Sequence, residues 1–204
     1  SQEQFNYATE WVAKEGLQDK VTILLQDYRL ISGTFDKLLS IEMIEAVGHE
    51  FYQEYFSRCS ALLKPDGIML IQAITIQDQR FDYARKNTDF IQQYIFPGGC
   101  LPSTSVVAQH IARDTDMQIV GLEDITQDYA LTLRDWRKAF FERINEVRSQ
   151  GFGESFIRMW DFYLCYCEGG FRERAISTVQ YVFAKPAARR LPVVANLGTP
   201  KPGQ

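Results

Sequence analysis

The stretch SIEMIEAVGHE, residues 40–50, places two carboxylates, Glu42 and Glu45, three residues apart directly behind the apolar run FDKLLS. A carboxylate at the end of an internal strand loses hydration and raises the cost of folding unless something pairs with it. Either these glutamates start a helix or they hold a ligand. A second cluster lies further along, where Phe156, Trp160, Tyr163, Cys167 and Phe171 recur at spacings of four, three, four and four, one stripe of one helix. Aromatic faces stabilise a passing positive charge by roughly 0.5–2 kcal/mol each; the same stripe can equally pack on a sheet. Tyr163 and Tyr166 are the residues expected to face a ligand, since a hydroxyl in a core needs a partner. Cys59, Cys100, Cys165 and Cys167 show no C-x-x-C spacing, and only His49 and His110 could join them, so no metal site is expected. Both histidines read as structural, His49 at a turn and His110 on a helix face.

These residues need elements to hold them. SQEQFNYATEWVAKEG has Ser1 and Gln4 in capping-box spacing, an apolar face of Phe5, Ala8 and Val12, and Gly16 as a stop. KVTILLQD and TFDKLLS read as strands, and EFYQEYFSRCSALLKPDG as a helix closed by Pro65 and Gly67. IMLIQAIT reads as a strand apolar on both faces, as internal parallel strands tend to be. The rhythm is that of a doubly wound α/β sheet. A mixed insertion with a Pro-Gly-Gly turn follows, then a helix over 103–113, a strand over 117–122, helices over 131–148 and 154–175, and the strand TVQYVFAK. The expected division is a catalytic domain over 1–186 and a flexible tail over 187–204. The Gly-rich turn that usually opens a nucleotide-binding sheet is missing, so the chain reads as the later part of a larger domain.

Size and charge narrow the function. The 204 residues, 46% apolar, suffice for one α/β core. A formal net charge of −4, with no basic run beyond Arg189-Arg190, argues against nucleic acid as a partner. No apolar stretch is long enough to span a bilayer and no signal peptide is evident, so a cytoplasmic chain with reduced thiols is expected, with peripheral membrane contact left open.

At SIEMIEAVGHEFYQEYFSRCSALLKPDG, YIFPGGCLPS and YLCYCEGGFRER, the chain resembles the cyclopropane-fatty-acyl-phospholipid synthase and mycolic acid methyltransferase family, from Ser1 to about Lys185. The resemblance implies a Rossmann-like S-adenosylmethionine methyltransferase sheet with a helical insertion that binds an acyl chain. It implies transfer of a methyl(ene) group from S-adenosylmethionine to the cis double bond of an unsaturated phospholipid acyl chain. A cyclopropane ring would form through a carbocation with bicarbonate as base. Two alternatives stay open, a related enzyme that leaves a methyl branch and a truncated, cofactor-free binding module. A site peripheral to the inner face of the membrane and a possible homodimer belong to the same expectation.

Residue by residue, the resemblance implies that Ser1 and Gln4 touch the cofactor's ribose and amino-acid part, unless they merely cap a helix; both can hold. Gln26 and Asp27 would bond the adenine edge and Tyr28 would stack on it, with a turn-forming aspartate as the plain alternative. Glu45, Gln72, the backbone of Ile74 and Tyr129 match a pocket for bicarbonate, with Glu45 and Tyr129 as catalytic residues. Glu42 stands where many relatives carry a small residue and reads as a helix-start charge favoured by the macrodipole. Gln72 replaces the family's usual histidine, and an amide cannot take up a proton near neutral pH. Trp160, Tyr163, Tyr166 and Phe171 would line the acyl and cation pocket. Cys167 matches a cysteine regarded as catalytic in the family, although a thiol among aromatic residues keeps a raised pKa and suits packing better.

Overall fold

A computed structural model describes residues 1–189, and the chain falls into two compact units, the first over Ser1–Gly33 and the second beginning at Thr34. In the first, α1 (Gln2–Lys14) starts with the expected capping box: the Gln4 amide donates to the Ser1 hydroxyl, and the Gln4 side chain is paired with the Ser1 backbone. KVTILLQD does not form a strand. Its β propensity is real, but a strand is stable only when neighbours share its hydrogen bonds, and this unit offers none.

The second unit is a four-stranded mixed sheet in the order β1-β2-β4-β3, built from β1 (Phe35–Ile41), β2 (Leu63–Ile76), β3 (Gln118–Asp124) and β4 (Ile176–Ala184). β1 and β2 run parallel, whereas β4 runs antiparallel to both β2 and β3. The doubly wound expectation thus holds for only one side of the long central strand. An apolar run that is covered on both faces does not reveal which way its neighbours point. On β2, Met69, Ile71 and Ala73 are fully buried, while Leu70, Gln72 and Ile74 on the other face are only partly so.

On the buried side of the sheet α2 (Tyr52–Ala61) packs on β2, and α5 (Thr104–Asp114) packs on α2 and β3. His110 lies on α5 as expected, stacked on Phe56 at 5.7 Å with its Nδ1 2.6 Å from Asp114 Oδ2. His49 opens a short 3-10 turn, His49–Phe51. Two short helices, α3 (Asp78–Ala84) and α4 (Phe90–Tyr94), form the insertion after β2. The helix expected over 131–148 starts earlier and breaks near Arg143 into α6 (Thr126–Glu142) and α7 (Ile144–Ser149). Then α8 (Glu154–Arg172) carries the aromatic stripe and packs along α6. Ala187, the first residue of the expected tail, donates its amide to the Pro65 carbonyl, next to the Lys185 amide on the Gly67 carbonyl. Its remainder, 190–204, lies outside the described residues. Among those described, no helix is long and apolar enough to cross a membrane, and no group of His, Cys, Asp or Glu could hold a metal.

Candidate active site

Ligands in sheets of this kind bind beyond the carboxyl ends of the parallel strands, and both glutamates lie there. β1 leaves the sheet at Ile41. The next residue, Glu42, has φ +50, a left-handed conformation that residues other than glycine rarely adopt. The chain then turns through a short 3-10 segment, Ile44–Ala46. Because β1 has departed, the Ile74 amide of β2 lacks a strand carbonyl on that side, and Glu45 Oε1 accepts it at 2.5 Å. The Glu45 carbonyl in turn accepts the Cys100 amide at 2.8 Å, while the Tyr52 hydroxyl donates to the Cys100 carbonyl at 2.6 Å. Gly99 permits this approach: a Cβ there would stand 3.1 Å from the Phe96 carbonyl and 3.4 Å from that of Glu45. The Pro-Gly-Gly turn is thereby tied to the glutamate it supports.

Glu42 is the acceptor at the centre of a polar chain. The Tyr129 hydroxyl, on the first turn of α6, donates to its Oε2 at 2.7 Å, and the Gln72 amide group donates to its Oε1 at 2.9 Å. Gln72 is itself fixed from β4, where Gln180 lies directly opposite and donates to Gln72 Oε1 at 2.8 Å. Glu42 is therefore a pocket residue and not a helix-start charge: the left-handed turn brings its carboxylate under Tyr129. Sequence reasoning missed Gln180 altogether, although a lone amide in the apolar strand TVQYVFAK was a signal.

The groups of the expected bicarbonate set are bonded to the two glutamates. The Ile74 amide is taken by Glu45, and the Tyr129 hydroxyl and Gln72 amide are taken by Glu42. Each group of the expected set is thus engaged within the chain, and the Gln72 amide carries one further hydrogen beyond the one given to Glu42. One buried oxygen here, Glu45 Oε2, has no partner, but a single oxygen beside a second carboxylate does not hold an anion. Burial pushes the Glu45 carboxyl up from 4.5 to about 7, with a further push from the charge of Glu42 and a partial offset from the Ile74 bond. Tyr129 is raised by its burial and by the bond to Glu42, so its hydroxyl stays a donor.

Above the polar chain lies an apolar cluster of Ala130, Leu133, Leu164 and Phe171, against which Ile74, Tyr129, Trp160, Tyr163 and Cys167 pack. Phe171 is 1% exposed and 4.9 Å from the Tyr129 ring, so it is a core residue and not an open pocket wall. Trp160 and Tyr163, with ring centres 5.0 Å apart, instead border a cleft of about 570 Å³ with an apolar side of Trp136, Phe140 and Leu164 and a polar side of Arg143, Glu146 and Gln150. Burial raises Tyr163 to about 12. Tyr166 points elsewhere: it is 44% exposed and packs on Phe90 and Phe162. Cys167 sits among the cluster residues, and burial pushes its thiol up to about 12, which leaves little thiolate to act as a nucleophile.

The expected cofactor residues all lie in the first unit. Ser1 and Gln4 form the helix cap described above. Gln26 donates to the Leu30 carbonyl at 2.8 Å. Asp27 caps the turn Tyr28–Leu30, accepting the Arg29 amide at 2.9 Å, and the Arg29 guanidinium holds its carboxyl down at about 2. The plain structural reading of Asp27 is thus satisfied, and Tyr28 lies within the same turn.

A mixed α/β sheet with carboxylates beyond its parallel strand ends and an aromatic helical layer above them defines the class, a Rossmann-like fold of the S-adenosylmethionine-dependent methyltransferase type. Within it, the chain belongs to the mycolic acid cyclopropane synthetase family, whose model matches residues 1–181. It is 40% identical to the tuberculostearic acid methyltransferase UfaA1 of Mycobacterium tuberculosis, over 91% of this chain and 43% of that protein. To the cyclopropane-fatty-acyl-phospholipid synthase of Escherichia coli K12 it is 39% identical, over 84% of this chain and 42% of that protein. The chain thus spans less than half the length of these curated relatives. Among solved structures, the mycolic acid cyclopropane synthase CmaA1 complexed with SAH and CTAB superposes with a TM-score of 0.81 at 28% identity, over 91% of this chain and 67% of that one.

Proposed function

We propose that the protein carrying this chain transfers a methyl(ene) group from S-adenosylmethionine to the double bond of an unsaturated fatty acyl chain of a phospholipid. The observation that carries this reading is the juxtaposition of a part-buried carboxylate pair, Glu42 and Glu45, with an aromatic cluster that borders a cleft. An alkene is a poor nucleophile, so its attack depends on alignment and on stabilising the cation left on the acyl chain. Tyr129, Trp160 and Tyr163 offer π faces to that cation, and the carboxylates offer negative charge in a site of low dielectric. The aromatic side of the cleft, Trp136, Phe140, Trp160 and Tyr163, offers apolar surface to a lipid tail. S-adenosylmethionine supplies the electrophilic carbon; Ser1, Gln4, Gln26, Asp27 and Tyr28 stay the candidates to hold it. They would do so with groups now engaged in local caps. CmaA1 complexed with SAH and CTAB supports a nucleotide cofactor and an alkyl-chain ligand in the same fold.

The donors described above are engaged by the two glutamates, and no step is routed through bicarbonate. A methyl-branched or unsaturated product is a second reading, favoured by the bond from Gln72 to Glu42, which remakes the pocket where the end product is decided. Access to phospholipid calls for contact with a membrane surface. Phe96, 57% exposed beside the Pro-Gly-Gly turn and 6.3 Å from the Tyr163 ring, supports such a contact near the cleft.

The test uses the full-length protein, methyl-labelled S-adenosylmethionine and vesicles of unsaturated phospholipid. Label in an acyl chain one CH2 heavier is expected, and proton NMR of the lipid separates a ring from a branch. Binding of S-adenosylmethionine with no label in any acyl chain would overturn the reading, and absence of binding would favour a cofactor-free module.

A further inference from the structure

We propose that Glu42 is the resident anion of this pocket: its carboxylate occupies the place of a free bicarbonate and itself accepts the proton released from the substrate. The inference deepens the lipid methyl transfer proposed above and rests on it for the identity of the proton donor. The geometry carries it. Two donors converge on this one side chain, the Tyr129 hydroxyl on Oε2 and the Gln72 amide on Oε1. The third donor available to an anion, the Ile74 amide, is already spent on Glu45. Glu42 holds this place at a backbone angle of φ +50 that only glycine adopts freely. A residue kept in a disfavoured conformation, with both carboxylate oxygens engaged by two different elements, is positioned by the fold and not left there by chance.

The rest of the network fits that role. Gln180 donates to Gln72 Oε1 and so fixes which end of that amide faces Glu42. Gln72 thus accepts from Gln180 through its carbonyl oxygen and donates to Glu42 through its amide nitrogen. Gln72 and Gln180 are in this view positioning residues for the carboxylate.

The step balances without a further reactant. The alkene π pair forms a bond to the methyl carbon as the sulfur–carbon pair returns to sulfur, leaving a cation on the acyl chain. A proton then leaves the added carbon, its C–H pair closes the ring, and a free lone pair on a Glu42 oxygen takes the proton. A carbon acid next to a cationic centre is strong enough that an ordinary carboxylate suffices as base. The two hydrogen bonds on Glu42 also temper its tendency to be alkylated.

The experiment compares the full-length wild-type protein with Glu42→Gly, which suits the left-handed turn and opens the space, and Glu42→Gln, which keeps the shape without the charge. Methyl transfer is measured in carbon-dioxide-free buffer with and without millimolar bicarbonate, and binding of isotopically labelled bicarbonate is followed by carbon NMR line broadening. Wild type should turn over at the same rate with or without bicarbonate and should leave its line sharp. Glu42→Gly should lose about 100-fold in rate, the scale of a removed general base, broaden the bicarbonate line and recover part of the loss when bicarbonate is added. Glu42→Gln should lose as much and recover nothing. Dependence of the wild type on bicarbonate, line broadening by the wild type equal to that of Glu42→Gly, or an undiminished rate in Glu42→Gly would each overturn the proposal. Should the wild type modify no unsaturated lipid, the functional reading fails, while the binding comparison still decides whether Glu42 fills the anion position.

Discussion

Glu45→Gln offers a test that needs no substrate. In the folded chain, burial holds the Glu45 carboxyl at about 7, against 4.5 for the exposed group. Between those values the native state keeps a proton that the unfolded state has released, so stability falls as pH rises through this window and levels off above it. With about 1.4 kcal/mol for each unit, the loss amounts to about 3 kcal/mol. Glutamine keeps an oxygen for the Ile74 amide and removes the titration. It also introduces an amide that needs partners, a penalty of about 1–3 kcal/mol that does not vary with pH. The informative quantity is therefore the pH dependence of the difference between the two proteins, in which every other titrating group cancels. Urea unfolding of both at intervals from pH 5 to pH 8 should show the variant gaining about 2–3 kcal/mol relative to wild type as pH rises. A difference that stays flat within about 0.5 kcal/mol, the usual scatter for independent effects, would mean that the Glu45 carboxyl is hydrated.

Other perturbations probe the scaffold and the cluster. Phe171→Ala removes a fully buried ring from the layer above Tyr129, and chemical unfolding should register a loss of about 3–5 kcal/mol; a loss below about 1 kcal/mol would mean that the ring faces an open pocket after all. Cys167→Ala should keep methyl transfer within a few-fold of wild type, because a thiol held at about 12 contributes packing and no thiolate; abolished turnover with unchanged stability would restore it as a catalytic residue. Tyr52→Phe deletes the buried hydroxyl that fixes the Cys100 carbonyl and should cost about 1–3 kcal/mol by leaving that acceptor unpaired. Gly99→Ala should slow methyl transfer by crowding the Glu45 carbonyl, and the loss should appear in turnover before it appears in cofactor affinity.

The expected elements recur in order from β1 to β4 because local patterning specifies them. The capping box at Ser1 and Gln4, the apolar alternation of β2 and the aromatic stripe of α8 are each written in a few neighbouring residues. The failures have a common cause. KVTILLQD has the composition of a strand, but pairing is a property of neighbours. The antiparallel setting of β4 likewise depends on where the chain returns, which no window of residues encodes.

The same division runs through the site. The family resemblance named Glu45, Tyr129, Ile74 and Gln72 together, and the residues themselves showed the uneasy position of two carboxylates at a strand end. Which carboxylate accepts from which donor was not, since Glu42 and Tyr129 are 87 residues apart and Gln72 and Gln180 are 108 apart. Residue types state which groups can ionise, donate or pack, and local spacing states which helix or strand carries them. Only tertiary structure brings β1, β2, β4 and a helix start close enough for hydrogen bonds, which need donor and acceptor within about 3.2 Å and well aligned. That short range is why the chemistry could be read from the sequence while the choice of Glu42 as its central acceptor had to come from the fold.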